Sequence, residues 1–97
     1  MNLFRKFPFN EKPNTAIFTC IHIINKEKPI LFVTHDNDGY WQFLCGRHHK
    51  EEEARIVSLA SILNIDENMN DLADLDYGQY AELIDAKGDW IVKYKAE

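Results

Sequence analysis

Six residues of this 97-residue chain have the chemistry of zinc ligands: Cys20, His22, His35, Cys45, His48 and His49. Thiolates and imidazoles suit zinc, and Cys20-x-His22 puts two of them on one face of an extended strand. The remaining spacings follow no established zinc pattern. If the strand over 30–35 lies between its two neighbours, Cys20 and Cys45 fall two strand spacings apart, about 9 to 10 Å. That exceeds the roughly 7 Å that the Cα atoms of a disulfide allow. The expectation is therefore buried thiols and ordinary histidines, with no metal and no cofactor, because cysteine often serves as a small core residue.

His35, Asp36 and Asp38 are a second constellation, since a carboxylate beside an imidazole is the arrangement of an acid/base pair. Turn chemistry accounts for the same residues: Asp and Asn gather where side chains bond their own backbone. The chain has no nucleophile motif, no Gly-rich phosphate loop and no paired-cysteine spacing. No catalytic residue is assigned. A small enzyme or ligand-binding domain with a polar site near His35 is the alternative reading.

The third constellation is acidic. Asp66, Glu67, Asp71, Asp74 and Asp76 lie close together and are followed by Tyr77 and Tyr80. Helices usually turn their charges to water, so such a run serves solubility first. As a site it would dock a basic protein, with charge steering the encounter and tyrosines anchoring it.

The elements that position these residues are organised around Pro29 to Gly46, where two apolar runs flank Asp36-Asn37-Asp38-Gly39. This is a β-hairpin signal, and Asp38-Gly39 reads as a two-residue turn because Gly adopts positive φ freely and Asp tolerates it. With that turn, Trp41, Phe43 and Cys45 share a face with Phe32, Thr34 and Asp36; a loop one residue longer or shorter reverses the faces. Trp41 and Phe43 are expected in the core, because each aromatic buries on the order of 150 to 250 Å².

Thr15 to Asn25, rich in β-branched residues, reads as one strand. The short link Asn25 to Pro29 predicts that it pairs antiparallel with Ile30 to His35. Before it, Met1 to Asn14 reads as an arm that docks Leu3, Phe4, Phe7 and Phe9 on the domain formed by residues 15–97.

Between His48 and Asn64 two readings compete. Helical spacing of Ala54, Ile56, Val57, Leu59, Ala60 and Leu63 slightly prefers one helix. Local chemistry instead makes Ile56-Val57 a short strand and Ser58 the N-cap of a helix over Leu59 to Asn64. Asp66 then caps a second short helix through Leu72 or Ala73. Tyr80 to Ile84 and Trp90 to Tyr94 form a second hairpin around residues 85–89. Alternation in its last strand predicts burial of one face, with Trp90, Val92 and Tyr94 pointing the same way.

Composition bounds the function. The chain is 45% hydrophobic and 28% charged, which suits a single folded domain and excludes whole-chain disorder. With 16 acids against 11 bases the formal charge is −5, a field that repels phosphate backbones; no nucleic-acid partner is expected. No apolar run approaches the roughly 18 to 20 residues of a membrane span, and the first 14 residues lack the apolar stretch of a signal peptide. A cytoplasmic address with reduced cysteines follows.

The string His35-Asp36-Asn37-Asp38-Gly39-Tyr40-Trp41-Gln42-Phe43-Leu44-Cys45-Gly46 resembles the signature of a family of small bacterial domains of unknown function. Ala54-Arg55-Ile56-Val57-Ser58-Leu59, Asp71-Leu72-Ala73-Asp74-Leu75, Gly78 with Ala81, and Trp90 fall in the matching order. Related domains with a comparable Trp-centred strand are grouped, on genome context, with immunity proteins of bacterial toxin systems. Family members often carry a basic residue after the Gly-x-x-Ala segment, where this chain has Glu82, Leu83 and Ile84. The resemblance implies a short strand at Arg55 to Ser58 and so favours strand, short helix, short helix. It implies no activity or catalytic residue. The expected fold is α+β: an antiparallel sheet of about five strands, a meander plus a C-terminal hairpin, with two short helices on one side. The expected function is an immunity-type protein-interaction module that binds a basic partner through the acidic face.

Overall fold

The computed structural model describes residues 9, 11–46, 50–83 and 90–94. Its elements run in the order β1 (Ala16–Cys20), α1 (Ile21–Ile24), β2 (Phe32–His35), β3 (Trp41–Leu44), β4 (Ala54–Ser58), α2 (Leu59–Ile65), β5 (Gln79–Leu83) and β6 (Trp90–Tyr94). Short 3-10 turns at Glu51–Glu53 and Glu67–Leu72 flank β4 and α2. The strands form one six-stranded sheet in the order β4-β1-β3-β2-β5-β6. The α+β class is as expected, but the sheet is mixed, because β1 pairs with β3 in parallel while the other neighbours are antiparallel.

That parallel pair arises where the expected first strand breaks. Thr15 to Asn25 does not continue as one strand; the chain turns helical at Ile21, and Asn25 N–H closes the turn on Ile21 O at 2.9 Å. An extended path would carry Ile23 off the end of the sheet, whereas the helical turn folds it into the core, 1% exposed. Burial has overridden the β-branched preference, as tertiary context routinely does. With α1 and residues 25–31 as a crossover, β2 lands beyond β3, so the expected antiparallel pairing of the first two strands does not form.

The central hairpin forms with a loop one residue longer than Asp38-Gly39 alone. Asp36 N–H donates to Tyr40 O, and Gly39 N–H donates to Asp36 O. Gly39, at φ 94°, supplies the left-handed position of a three-residue loop. The odd count reverses the faces: His35 opposes Trp41 and Val33 opposes Phe43.

One face of the sheet thus carries Ile17, Thr19, Val33, His35, Trp41, Phe43 and Ala81, each at most 6% exposed. Leu59, Ile62, Met69 and Leu72 from the helical segments and Leu75 from the turn that follows join the same core. Trp41 and Phe43 are core residues as expected, and from the arm Phe9 meets Trp41 edge-on at a centroid distance of 4.9 Å. Leu3, Phe4 and Phe7 lie outside the described residues. The opposite face holds half-buried Phe18 against exposed Tyr40 and the half-buried pair Phe32–Tyr80, with exposed Ile56.

Strand, helix and 3-10 turn follow Glu53 in the order that local chemistry and the resemblance imply. Ser58 Oγ accepts from Ser61 N–H at 3.1 Å, and Asp66 Oδ1 accepts from Asn68 N–H at 3.0 Å, so both expected caps are made. Leu59 and Ala60 N–H groups, orphaned at the start of α2, donate to Thr15 O and Pro13 O. The second hairpin pairs as expected, with residues 84–89 outside the described set. Among the described residues its last strand is an edge, and Val92 and Tyr94 are exposed rather than buried, because no described element covers that face of the edge strand. No helix among the described residues is long and apolar enough to cross a membrane.

Candidate functional site

His35 closes β2 on the core face, where β3 presents Trp41 and β5 presents Gln79 beside it. Its ring stacks on Trp41 at 4.0 Å, and Tyr77 meets it edge-on at 4.7 Å. The imidazole is 6% exposed, so both its nitrogens need accounting. Nδ1 lies 2.8 Å from Leu75 O. A carbonyl can only accept, so Nδ1 carries the hydrogen, and the neutral ring then presents Nε2 as a lone pair. Nε2 has no hydrogen-bond partner among the described residues; the nearest charged group is Glu11 Oε2 at 3.7 Å.

Around this ring lies a cavity of about 220 Å³ lined by Glu11, His35, Asp74, Asp76 and Tyr77 together with Ala73 and Leu75. Its architecture follows from the turn between the 3-10 segment and β5. Leu75 N–H donates to Leu72 O, and Asp76 N–H donates to Gln79 Oε1 at 2.6 Å. Gly78 N–H donates to His35 O at 2.7 Å. Gly78 holds φ 81°, a left-handed conformation that favours glycine; a Cβ there would stand 2.7 Å from Oδ1 of the exposed Asn37 side chain, which can swing aside. Tyr94 Oη reaches Asp76 Oδ2 at 3.4 Å from the edge strand.

The expected acidic surface divides. Asp74, Asp76 and Tyr77 converge on the His35 cavity. Asp66 is engaged as a cap, and Glu67 and Asp71 are exposed on the 3-10 turn. Tyr80 pairs with Thr34 and packs against Phe32, on the sheet face opposite His35, so it does not belong to the same surface.

The acid/base grouping of His35 with Asp36 and Asp38 does not assemble. Asp36 accepts from Thr34 Oγ1 and from Gln42 Nε2, and Asp38 Oδ1 caps the turn by accepting from Tyr40 N–H. The carboxylates beside His35 come instead from Glu11 in the arm and from the turn before β5. No local pattern links Glu11 to His35, 24 residues away; docking of Phe9 on the core is what brings the arm there.

The expected separation of the two cysteines is also corrected. Because β1 neighbours β3, Cys20 Sγ and Cys45 Sγ stand 3.6 Å apart rather than two strand spacings, without a disulfide between them. His22 Nδ1 lies 3.7 Å from Cys45 Sγ. His35 sits at the other end of the hairpin, among the residues of its own cavity, and His48 and His49 lie outside the described residues.

Comparison of the chain with protein-family models, with curated proteins and with solved structures finds no match.

Proposed function

We propose that the chain is a protein-interaction module of the immunity type, related to the small bacterial family it resembles, which takes a cationic side chain of a basic partner into the His35 cavity. The observation that carries this reading is His35 Nε2, a buried nitrogen without a hydrogen-bond partner among the described residues, 3.7 Å from Glu11 Oε2 beside a cavity that Asp74 and Asp76 also line. Ionised carboxylates accept hydrogen bonds and donate none, so the polar groups gathered there call for a donor. An ammonium or guanidinium satisfies them, and the Tyr77 ring adds a cation–π surface. The formal charge of −5 steers a basic partner towards the chain and a phosphate backbone away from it. Binding occludes the partner without chemistry. The cytoplasm is the proposed compartment, on the ground that two cysteines make no disulfide framework.

Cavity size bears on the second reading, a small-ligand or enzymatic site at His35. Drug-sized ligand sites enclose about 300 to 1,000 Å³, and about 220 Å³ lies below that range. A single side chain presented by a macromolecule fits the space better than a whole cofactor or metabolite.

Calorimetric titration with a lysine- and arginine-rich peptide tests the proposal. Binding that weakens steeply with salt and is lost in an Asp74→Asn/Asp76→Asn variant supports it. Binding that the double variant leaves unchanged, or no binding at low salt, refutes it.

A further inference from the structure

The parallel pairing of β1 with β3 creates a cluster that the cation cavity does not use. Cys20, His22 and Cys45 each offer one ligand atom, all within 4.8 Å of one another. Two residues of a continuous strand separated by one other lie about 6.6 Å apart along the chain. Here the chain leaves β1 at Cys20 and enters the helical turn at Ile21, which carries His22 back towards the end of β3.

Two of the three separations are those of a tetrahedral metal site, and the third, between Cys20 and His22, lies within 4.8 Å. Zinc binds sulfur at about 2.3 Å and nitrogen at about 2.0 to 2.1 Å. Tetrahedral angles then put two sulfurs about 3.8 Å apart and a sulfur and nitrogen about 3.6 Å apart. The corresponding separations are 3.6 Å for Cys20 Sγ to Cys45 Sγ and 3.7 Å for Cys45 Sγ to His22 Nδ1.

A metal-binding histidine usually donates its other ring nitrogen to a carboxylate or carbonyl, which fixes ring and tautomer. His22 has that support. Its Nε2 lies 3.2 Å from Glu53 Oε2. Glu53 is itself held by the 3-10 turn, its Oε1 accepting from Lys50 N–H at 3.1 Å. With Nε2–H directed to Glu53, Nδ1 offers its lone pair on the side of the sulfurs.

We propose that Cys20 Sγ, Cys45 Sγ and His22 Nδ1 bind one zinc ion, with Glu53 as the positioning residue behind His22. Two thiolates and an imidazole select zinc over magnesium or calcium, which prefer oxygen. The fourth tetrahedral position falls to water or another donor. Cys20 is fully buried, but Cys45 is half-buried and His22 about a quarter exposed, so the ion has a way in. Burial and the neighbouring Cys20 thiol push the Cys45 thiol upward; zinc reverses that balance, because a coordinated thiol gives up its proton. The bound ion staples the β1–α1 junction to the end of β3 across the parallel pair.

The test uses the full, untagged chain, reduced and stripped of metal, titrated with Zn²⁺ against a chromophoric chelator. One equivalent is expected, with a rise in Tm, and Co²⁺ in its place is expected to give the intense visible bands of a tetrahedral thiolate site. Glu53→Gln should keep the stoichiometry and weaken affinity about 10- to 100-fold. Cys45→Ser and His22→Ala should weaken it further, with far-UV circular dichroism reporting whether each variant folds. Glu53→Gln remains decisive if a cysteine variant does not fold. Failure of the reduced chain to take up zinc overturns the site, as does oxidation to a Cys20–Cys45 disulfide whose reduced form binds no metal. So does an affinity that Glu53→Gln and Cys45→Ser leave unchanged. This site shares no residue with the cation cavity, and neither outcome bears on the other.

Discussion

His35 lies flat against Trp41 across the β2–β3 pair, with ring centroids 4.0 Å apart and planes 15° from parallel. The three-residue loop at Asn37-Asp38-Gly39 makes this possible, because an even count would have placed the two rings on opposite faces. With Leu75 O accepting from Nδ1, the stack leaves the imidazole one orientation, and Nε2 is held 3.7 Å from Glu11 Oε2.

Trp41→Ala removes the stacking surface and an indole that is 1% exposed. Truncation of a buried aromatic costs about 3 to 5 kcal/mol. Urea denaturation should show the midpoint falling accordingly, and a stability within error of the wild type would place Trp41 outside the core.

His35→Phe keeps an aromatic ring against Trp41 but strips both nitrogens. Leu75 O then loses its donor in a buried setting, at a cost of about 1 to 3 kcal/mol. The variant should remain folded by circular dichroism and bind the basic peptide more weakly, since the cavity loses its central acceptor. Undiminished affinity would show that the carboxylates alone carry binding.

Gly78→Ala places a side chain at φ 81° and against Asn37 Oδ1. Left-handed backbone costs a non-glycine residue roughly 1 to 2 kcal/mol, while the exposed Asn37 side chain can move away from the contact. Combining it with Asn37→Ala should therefore recover little of the loss, which comes from φ. Thermal melts of the single and double variants test this.

Ser58→Ala deletes the cap of α2 and should cost about 1 kcal/mol in chemical denaturation. Restoration by Ser58→Asp would identify the lost interaction as capping rather than packing.

Local chemistry reached much of the fold. Ser58 and Asp66 announce their helical segments through side chains that bond two or three residues ahead, and Gly39 marks its turn through positive φ. What escaped was non-local. The break at Ile21 depends on Ile23 finding the core, which no β-branched count encodes, and with it went the strand order. Both site differences are non-local as well. Cys20 meets Cys45 because β1 neighbours β3, and Glu11 meets His35 because Phe9 docks on Trp41. Of the expected acidic surface, Asp74, Asp76 and Tyr77 converge because the turn before β5 curls over His35, while Tyr80, in the strand itself, alternates to the other face.

The most direct test of the account is the nitrogen state of His35, read from long-range proton–nitrogen correlation spectra before and after adding the basic peptide. The account predicts a protonated Nδ1 and a bare Nε2 in the free chain, with the Nε2 resonance moving as the peptide's cation donates to it. A free chain with its hydrogen on Nε2, or an Nε2 resonance unmoved at saturating peptide, would contradict it.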